Sequence, residues 1–104
     1  MFSEQLMVLE MPLKDYVISP QAQENLEDIF SNVAFYTYSY QSAEKLFDEL
    51  FGVFELLALF PTMGIEGNVI GTREFYKRGY RIVYEIQCEQ VIILAVLHCK
   101  RKYP

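Results

Sequence analysis

The apolar residues of this chain change their spacing partway along it. In residues 20–60 they recur every three or four positions, as in Ala22, Leu26 and Ile29, which places one apolar stripe along a helix. Beyond residue 69 apolar and polar positions alternate, as in the stretch GYRIVYEI, and this alternation is typical of β-strands. The chain is therefore expected to form helices first and a sheet afterwards, which is an α+β fold.

Turn and cap residues set the limits of these segments. Ser19 and Pro20 follow the short apolar run YVI and mark a helix start, because Ser caps a helix and Pro at its first position lacks an amide hydrogen that would be unpaired there. The polar break at residues 39–42 offers a second cap. Pro61 and Gly64 close the second helix. The two helices are expected to form a hairpin.

Three strands are predicted after the hairpin. The link YKRG and the break at residues 88–90 have the length of hairpin turns, so the strands should run as an antiparallel meander. The run VIILAVL is almost wholly apolar, as expected of a strand buried on both faces. The predicted architecture is a helical hairpin packed on a small antiparallel sheet, in the order βααβββ, with the first short strand joining the sheet.

Length and composition indicate one folded domain. The chain has 104 residues, of which 52% are hydrophobic, and this content excludes disorder. The longest apolar stretch, residues 50–60, is interrupted by Glu55 and is shorter than the roughly 20 apolar residues that span a bilayer. Because the first residues lack a basic region, they are not expected to form a secretory signal, and a cytoplasmic location is expected.

The cysteines are expected to be free thiols. Cys88 falls in a predicted turn and Cys99 at a strand end. Only His98 accompanies them, so a zinc site would lack ligands, and neither a metal nor a cofactor is predicted.

Charge is divided unevenly along the chain. Residues 67–104 carry seven basic and three acidic residues, a balance of +4, whereas residues 1–66 carry two basic and eleven acidic residues, a balance of −9. This asymmetry suggests either a charged partner that meets one face or a basic sheet edge that resists aggregation. The total of −5 argues against direct nucleic-acid binding.

Five consecutive stretches together are similar to a known family. They are YVISPQAQENLEDI, LLALFPTMG, TREF, GYRIVYEI and VIILAVLHCKR. In this order and spacing the chain resembles the RelE/ParE superfamily of toxins from bacterial type II toxin–antitoxin systems, specifically its ParE-like branch. The resemblance covers about residues 14–104 and leaves residues 1–13 as an N-terminal extension of the single domain. The role of that extension, including pairing along the sheet edge or packing in a homodimer, is left open.

The resemblance implies a toxin that blocks growth when free and is held inactive by a cognate antitoxin. ParE-like members poison DNA gyrase, so the leading interpretation is a non-enzymatic protein that binds a macromolecular target, by analogy gyrase, through its last strands and basic end. The residues expected to bind the target are Arg73, Arg81, His98, Lys100 and Arg101.

RelE-like members instead cut messenger RNA on the ribosome, which gives the alternative interpretation. The residues available to a ribonuclease would be Arg81, Arg101, His98 and Tyr103. Thr72 and Glu74 occupy the family's lysine positions, however, and a carboxylate there would repel the scissile phosphate. A third interpretation is a member that keeps the fold without toxicity, since the acidic total charge is unusual for this superfamily.

Two of these residues have open structural roles. His98 is either a general base or a histidine that closes the last strand, and the second role is favoured. Arg73 either pairs with a carboxylate such as Glu85 or faces a ligand. The choice for Arg73 depends on strand register.

The helical hairpin has more aromatic residues than one core stripe can accommodate. An amphipathic antitoxin segment could bind them if they are exposed, or they could all be buried between the sheet and the loops. The residues expected to bind the antitoxin are Phe35, Tyr36, Tyr38, Tyr40 and Phe51.

Overall fold

The structure, a computed structural model, describes residues 16–103 of the chain, so the N-terminal extension lies outside the described residues. The helices are α1 (Pro20–Thr37) and α2 (Tyr40–Leu59), and a 3-10 turn (Pro61–Met63) follows them. The strands are β1 (Tyr16–Ile18), β2 (Ile65–Glu66), β3 (Thr72–Lys77), β4 (Tyr80–Gln87) and β5 (Gln90–His98). The predicted order is confirmed, with the two-residue strand β2 as an addition.

Both predicted helix caps are present. The amide of Ala22 donates to the Ser19 hydroxyl at 3.1 Å, and the amide of Ser42 donates to the Ser39 hydroxyl at 3.1 Å. Each bond satisfies one of the amides that a helix start leaves without an intrahelical acceptor. Neither helix of the described region is long and apolar enough to cross a membrane.

The five strands form one sheet in the order β1-β5-β4-β3-β2. Strands β3, β4 and β5 make the predicted antiparallel meander. The predicted antiparallel sheet is wrong at β1, which pairs with β5 in parallel, with Val17 opposite Ile92, so the sheet as a whole is mixed. Parallel neighbours need a long crossover, and here the helical hairpin and the first strands of the meander supply it.

The main core lies between the helical hairpin and one face of the sheet. Its fully buried side chains include Leu50, Phe54 and Leu57 of α2 and Ile82 and Tyr84 of β4. Each large apolar side chain buried in this way contributes about 1.5–3 kcal/mol to folding. This core fixes the hairpin on the sheet.

A second, smaller apolar cluster covers the opposite face of the sheet. Val83, Ala95 and Leu97 are buried there, and Leu94 and Tyr103 pack against them. Strand β5 is therefore buried on both faces, as its apolar run predicts. We call the face that bears this cluster the far face, because the helices lie on the other side.

Candidate functional site

Two charged side chains from neighbouring strands are buried together on the far face. Tyr76 of β3 is the register partner of Arg81 of β4, and Glu74 is the partner of Val83. Arg81 is 6% exposed and Glu74 is 5% exposed. Nη1 of Arg81 lies 3.7 Å from Oε1 of Glu74. Arg81, expected to bind the target, is thus an interior residue whose charge is offset by a carboxylate.

Glu74 has further donors around its carboxylate. The Tyr76 hydroxyl donates to Oε1 at 3.1 Å, and the backbone amide of Asn68 donates to Oε2 at 3.4 Å. A buried carboxylate needs such donors because burial removes its hydration. The Glu74 carboxylate therefore has one charged neighbour and two hydrogen-bond donors, whereas Nε of Arg81 is buried without a hydrogen-bond partner among the described residues.

Arg81 also holds the C-terminal segment, which we define as residues 99–103. Nη2 of Arg81 donates to the backbone carbonyl of Arg101. Tyr103 lies against the apolar cluster of the far face. The two contacts fold the segment back over the sheet, so Arg81 positions the basic residues that follow β5.

Arg73 binds backbone carbonyls instead of the predicted carboxylate, and its alternative role of facing a ligand stays a prediction. Its Nη2 donates to the backbone carbonyl of Thr62 at 3.1 Å and to that of Gly64 at 2.6 Å. The predicted pairing with Glu85 is wrong, because Glu85 is the register partner of Thr72 and side chains of adjacent residues in a strand point to opposite faces. Arg73 therefore secures the loop that follows α2.

The other three residues expected to bind the target lie together at the end of β5. His98, Lys100 and Arg101 are all exposed. The His98 ring packs edge-on against Tyr80 with centroids 6.1 Å apart, and its Nδ1 accepts from the Lys100 amide at 3.3 Å. These contacts suit a histidine that closes the strand and orders the turn after it.

A groove of about 280 Å³ separates this strand end from α1. Tyr80, His98 and Arg101 line one side, and the polar α1 residues Asn25, Asp28 and Asn32 line the other. Sequence reasoning missed the α1 side, although the spacing of its three residues by three and four positions was a visible signal of one helical face.

The four residues proposed for a ribonuclease lie in two environments around the C-terminal segment. His98 and Arg101 line the groove beside α1, whereas Arg81 is paired with Glu74 and Tyr103 packs on the far face. RNA cleavage requires a base, an acid and a cationic group around one phosphate. Arg81 and Arg101 are joined through the Arg101 carbonyl, and the ribonuclease interpretation stays a prediction.

A second candidate surface lies at the turn between the helices. Phe35, Tyr36, Tyr38 and Tyr40 are all more than half exposed. Several of these side chains border a groove of about 480 Å³, which we call the tip groove. Its lining residues are Phe30, Ser31, Ala34, Phe35, Tyr38, Ser39 and Tyr40. Four of the five residues expected to bind the antitoxin are therefore exposed at one end of the hairpin.

Phe51 is the exception. Its ring contacts those of Phe47 and Phe54 at centroid distances of 5.6 and 5.1 Å, and it packs against the main core. Phe47, Phe51 and Phe54 share one face of α2 because they are four and three positions apart. Phe51 thus belongs to a column of core aromatics and not to the tip groove.

Tyr38 combines exposure with an unusual backbone. It is 91% exposed and has a φ of 53°, in the left-handed region. A helix end of this kind usually has glycine, since a bulky residue is strained there. The fold therefore keeps a large aromatic ring in solvent at a position where glycine would be the more stable choice.

The described residues contain no group of three or more histidine, cysteine or acidic side chains that could hold a metal ion. Cys88 is exposed in the turn between β4 and β5, Cys99 is half-buried, and both are free. The cysteines therefore lie where the sequence places them.

The described residues form a small α+β protein with an exposed basic strand end and exposed aromatic rings at the tip of the hairpin. The family model for the ParE toxin of type II toxin–antitoxin systems, parDE, matches residues 16–103, and the chain belongs to this family. No curated protein matches the chain significantly.

Several solved structures share the fold, two of them from toxin–antitoxin systems. A chromosomal ParDE toxin–antitoxin system from P. aeruginosa has a TM-score of 0.74 and 14% identity, covering 84% of this chain and 97% of the other. The RelBE2 toxin–antitoxin complex from Mycobacterium tuberculosis has a TM-score of 0.54 and 21% identity, covering 83% of this chain and 99% of the other. The similarity extends over nearly the whole of each solved chain and over more than four fifths of this chain.

Proposed function

We propose that the protein is a growth-inhibiting toxin that acts in the cytoplasm by binding a macromolecular target, by analogy DNA gyrase, without cleaving RNA. The observation that carries the proposal is the difference between the arginines. Arg101 is exposed with His98 and Lys100 at the end of β5, whereas Arg81 is buried against Glu74. A fixed, exposed basic cluster suits electrostatic recognition of a partner.

Charge at the strand end supports a protein target. Lys100, Arg101 and Lys102 are consecutive and exposed, and Asp28 lies across the groove from Arg101. A surface that presents both signs of charge suits a partner with a mixed pattern better than a uniformly anionic nucleic acid.

The target is tested in a gyrase supercoiling reaction. The purified protein should inhibit supercoiling or trap cleaved DNA. The Lys100→Ala, Arg101→Ala double variant should inhibit roughly tenfold less well, which corresponds to about 1.4 kcal/mol. Lys45→Ala, an exposed change on α2 that also removes positive charge, is the control and should inhibit normally. Unchanged supercoiling at saturating protein would remove gyrase as the target.

Growth and transcript measurements separate the remaining interpretations. Induction in a host without an antitoxin should stop growth while messenger RNA stays intact in primer extension. Discrete cuts that vanish in Arg101→Ala, a change at an exposed side chain, would establish the ribonuclease instead. Normal growth with folded protein would establish a member that has lost toxicity.

We further propose that a cognate antitoxin neutralises the protein by covering the tip groove. The exposed rings of Phe35, Tyr38 and Tyr40 support this assignment, because clustered exposed aromatics mark interaction surfaces. Co-expression with the protein encoded next to this chain should restore growth. Phe35→Ser with Tyr38→Ser should abolish the rescue while leaving toxicity intact, because neither residue lines the groove beside His98 and Arg101.

A further inference from the structure

The helical hairpin is strongly acidic. Residues 20–59 contain seven acidic side chains and one basic side chain, Lys45, a balance of one minus seven, or −6. Glu49 forms an ion pair with Arg78 at 2.8 Å. The other six acids, Glu24, Glu27, Asp28, Glu44, Asp48 and Glu55, are exposed.

Two of these acids flank the tip groove. Glu27 precedes the groove residue Ser31 by one helical turn on α1, and Glu44 follows Tyr40 by one turn on α2. Residues four apart lie on the same side of a helix, about 5–6 Å from one another. The apolar floor of the groove therefore has a carboxylate beyond it on each helix.

We propose that the tip groove binds an amphipathic helix from a partner protein whose apolar face is bordered by lysine or arginine. This inference rests on the proposed function, in which that partner is the antitoxin, and it specifies the chemistry of the binding segment. A groove between two helices accepts a third helix through apolar anchors, and flanking charges of opposite sign set its orientation.

The charges argue against two other occupants. A second copy of this chain would bring two hairpins of −6 together around the groove, and like charges in close approach oppose association. A nucleic acid would meet the same carboxylates with its phosphates. The strained and exposed Tyr38 supports a binding role at this position, because backbone strain persists where function maintains it.

The test is an NMR titration of the isotope-labelled full chain with two synthetic helical peptides. Both carry the same leucine face, and their polar faces carry either lysine or glutamate. The lysine peptide should shift the amides of residues 30–44 and bind at least roughly tenfold more tightly than the glutamate peptide. Equal affinity, a preference for glutamate, or shifts confined to other residues would overturn the proposal.

Charge reversal supplies the matched control. Glu27→Lys with Glu44→Lys should reverse the preference, so that the glutamate peptide binds more tightly. Glu55→Lys lies 15 residues from Tyr40 on the same helix, about 22 Å along its axis at 1.5 Å per residue, and should leave the preference unchanged. Concentration-dependent shifts of the same amides without peptide would show that a second copy occupies the groove and would also overturn the proposal.

Growth assays distinguish this inference from the proposed function. If an antitoxin rescues growth equally well from the wild type and the Glu27→Lys, Glu44→Lys variant, the charge inference is wrong and the antitoxin role stands. If the lysine peptide binds as expected but no neighbouring protein rescues growth, the groove chemistry stands and the antitoxin role falls.

Discussion

The helical hairpin is acidic and the sheet is basic, and the two regions also differ in their side-chain contacts. The arginines of the sheet have partners within the protein, whereas aromatic side chains of the hairpin are exposed. On the sheet side, Arg73 binds backbone carbonyls, Arg81 pairs with Glu74, and Arg78 pairs with Glu49 of α2. The hairpin instead leaves aromatic rings in solvent at its tip. A count of charges along the sequence therefore overstates the positive surface, because three arginines have structural partners and the remaining cations are Lys77 and those of the C-terminal segment.

The largest expected effect tests whether Arg81 has a structural role in the sheet. Arg81→Ala should lower the free energy of unfolding by about 3–5 kcal/mol, because it leaves the buried Glu74 carboxylate without its cation. Urea denaturation measures the change. A loss below about 1 kcal/mol would mean that Arg81 behaves like a surface arginine.

A double variant is the control for this interpretation. Arg81→Leu with Glu74→Leu removes both charges from the interior, and replacing a buried pair by apolar residues is often close to neutral. The double variant should therefore be more stable than Arg81→Ala. If it is less stable, loss of packing and not an unpaired charge explains the single variant.

The hydroxyl group of Tyr84 is expected to stabilise the contact between the sheet and the loop after α2. This buried hydroxyl donates to the Pro61 carbonyl at 2.7 Å and accepts from the Gly64 amide at 3.0 Å, which joins β4 to the loop after α2. Tyr84→Phe should lower stability by about 1–3 kcal/mol, because two backbone groups lose their partner. Thermal unfolding measures it.

The hairpin provides the matched control for Tyr84. Tyr36→Phe removes the same atom from an exposed ring and should change stability by no more than about 0.5 kcal/mol. Similar losses in both variants would contradict the view that burial sets the effect.

The two helix caps allow a finer comparison. Ser39→Ala should cost about 1 kcal/mol, as is usual for a lost N-cap. Ser19→Ala should cost more, because the Ser19 hydroxyl also donates to the Leu94 carbonyl at 3.0 Å and so joins α1 to β5. Leu94 is the extra residue where the β4–β5 register shifts, and the carbonyl there is available to a side chain. Equal losses of unfolding free energy in the two variants would show that the hydrogen bond from Ser19 to Leu94 does not add to stability.

The sequence predicted what depends on local pattern. Apolar spacing gave both helices and the meander, and Ser19 and Ser39 gave the caps. Phe51 could also have been placed in the core from its spacing to Phe47 and Phe54. The excess of aromatic residues over one core stripe left open whether Phe35, Tyr36, Tyr38 and Tyr40 are exposed or buried, and the structure exposes them.

What could not be predicted depends on contacts between distant segments. The run YVI is too short to indicate whether β1 is parallel or antiparallel. Which residue faces Arg81 depends on the register across the β3–β4 turn, and a shift of one residue would move Glu74 to the other face. The partners of Arg73 are backbone carbonyls of an irregular loop, and no pattern of side chains in the sequence predicts them.

The smallest expected effect separates stability from binding at the hairpin tip. Tyr38→Gly should raise the free energy of unfolding by about 0.5–1 kcal/mol, because glycine adopts the left-handed φ of 53° without strain. The same variant should bind the antitoxin, or the lysine peptide, more weakly, because the exposed ring is lost. Unfolding midpoints and the NMR titration measure the two effects. Higher stability with unchanged binding would show that Tyr38 has no part in the tip groove, whereas the expected combination would explain why a large side chain occupies a position that suits glycine.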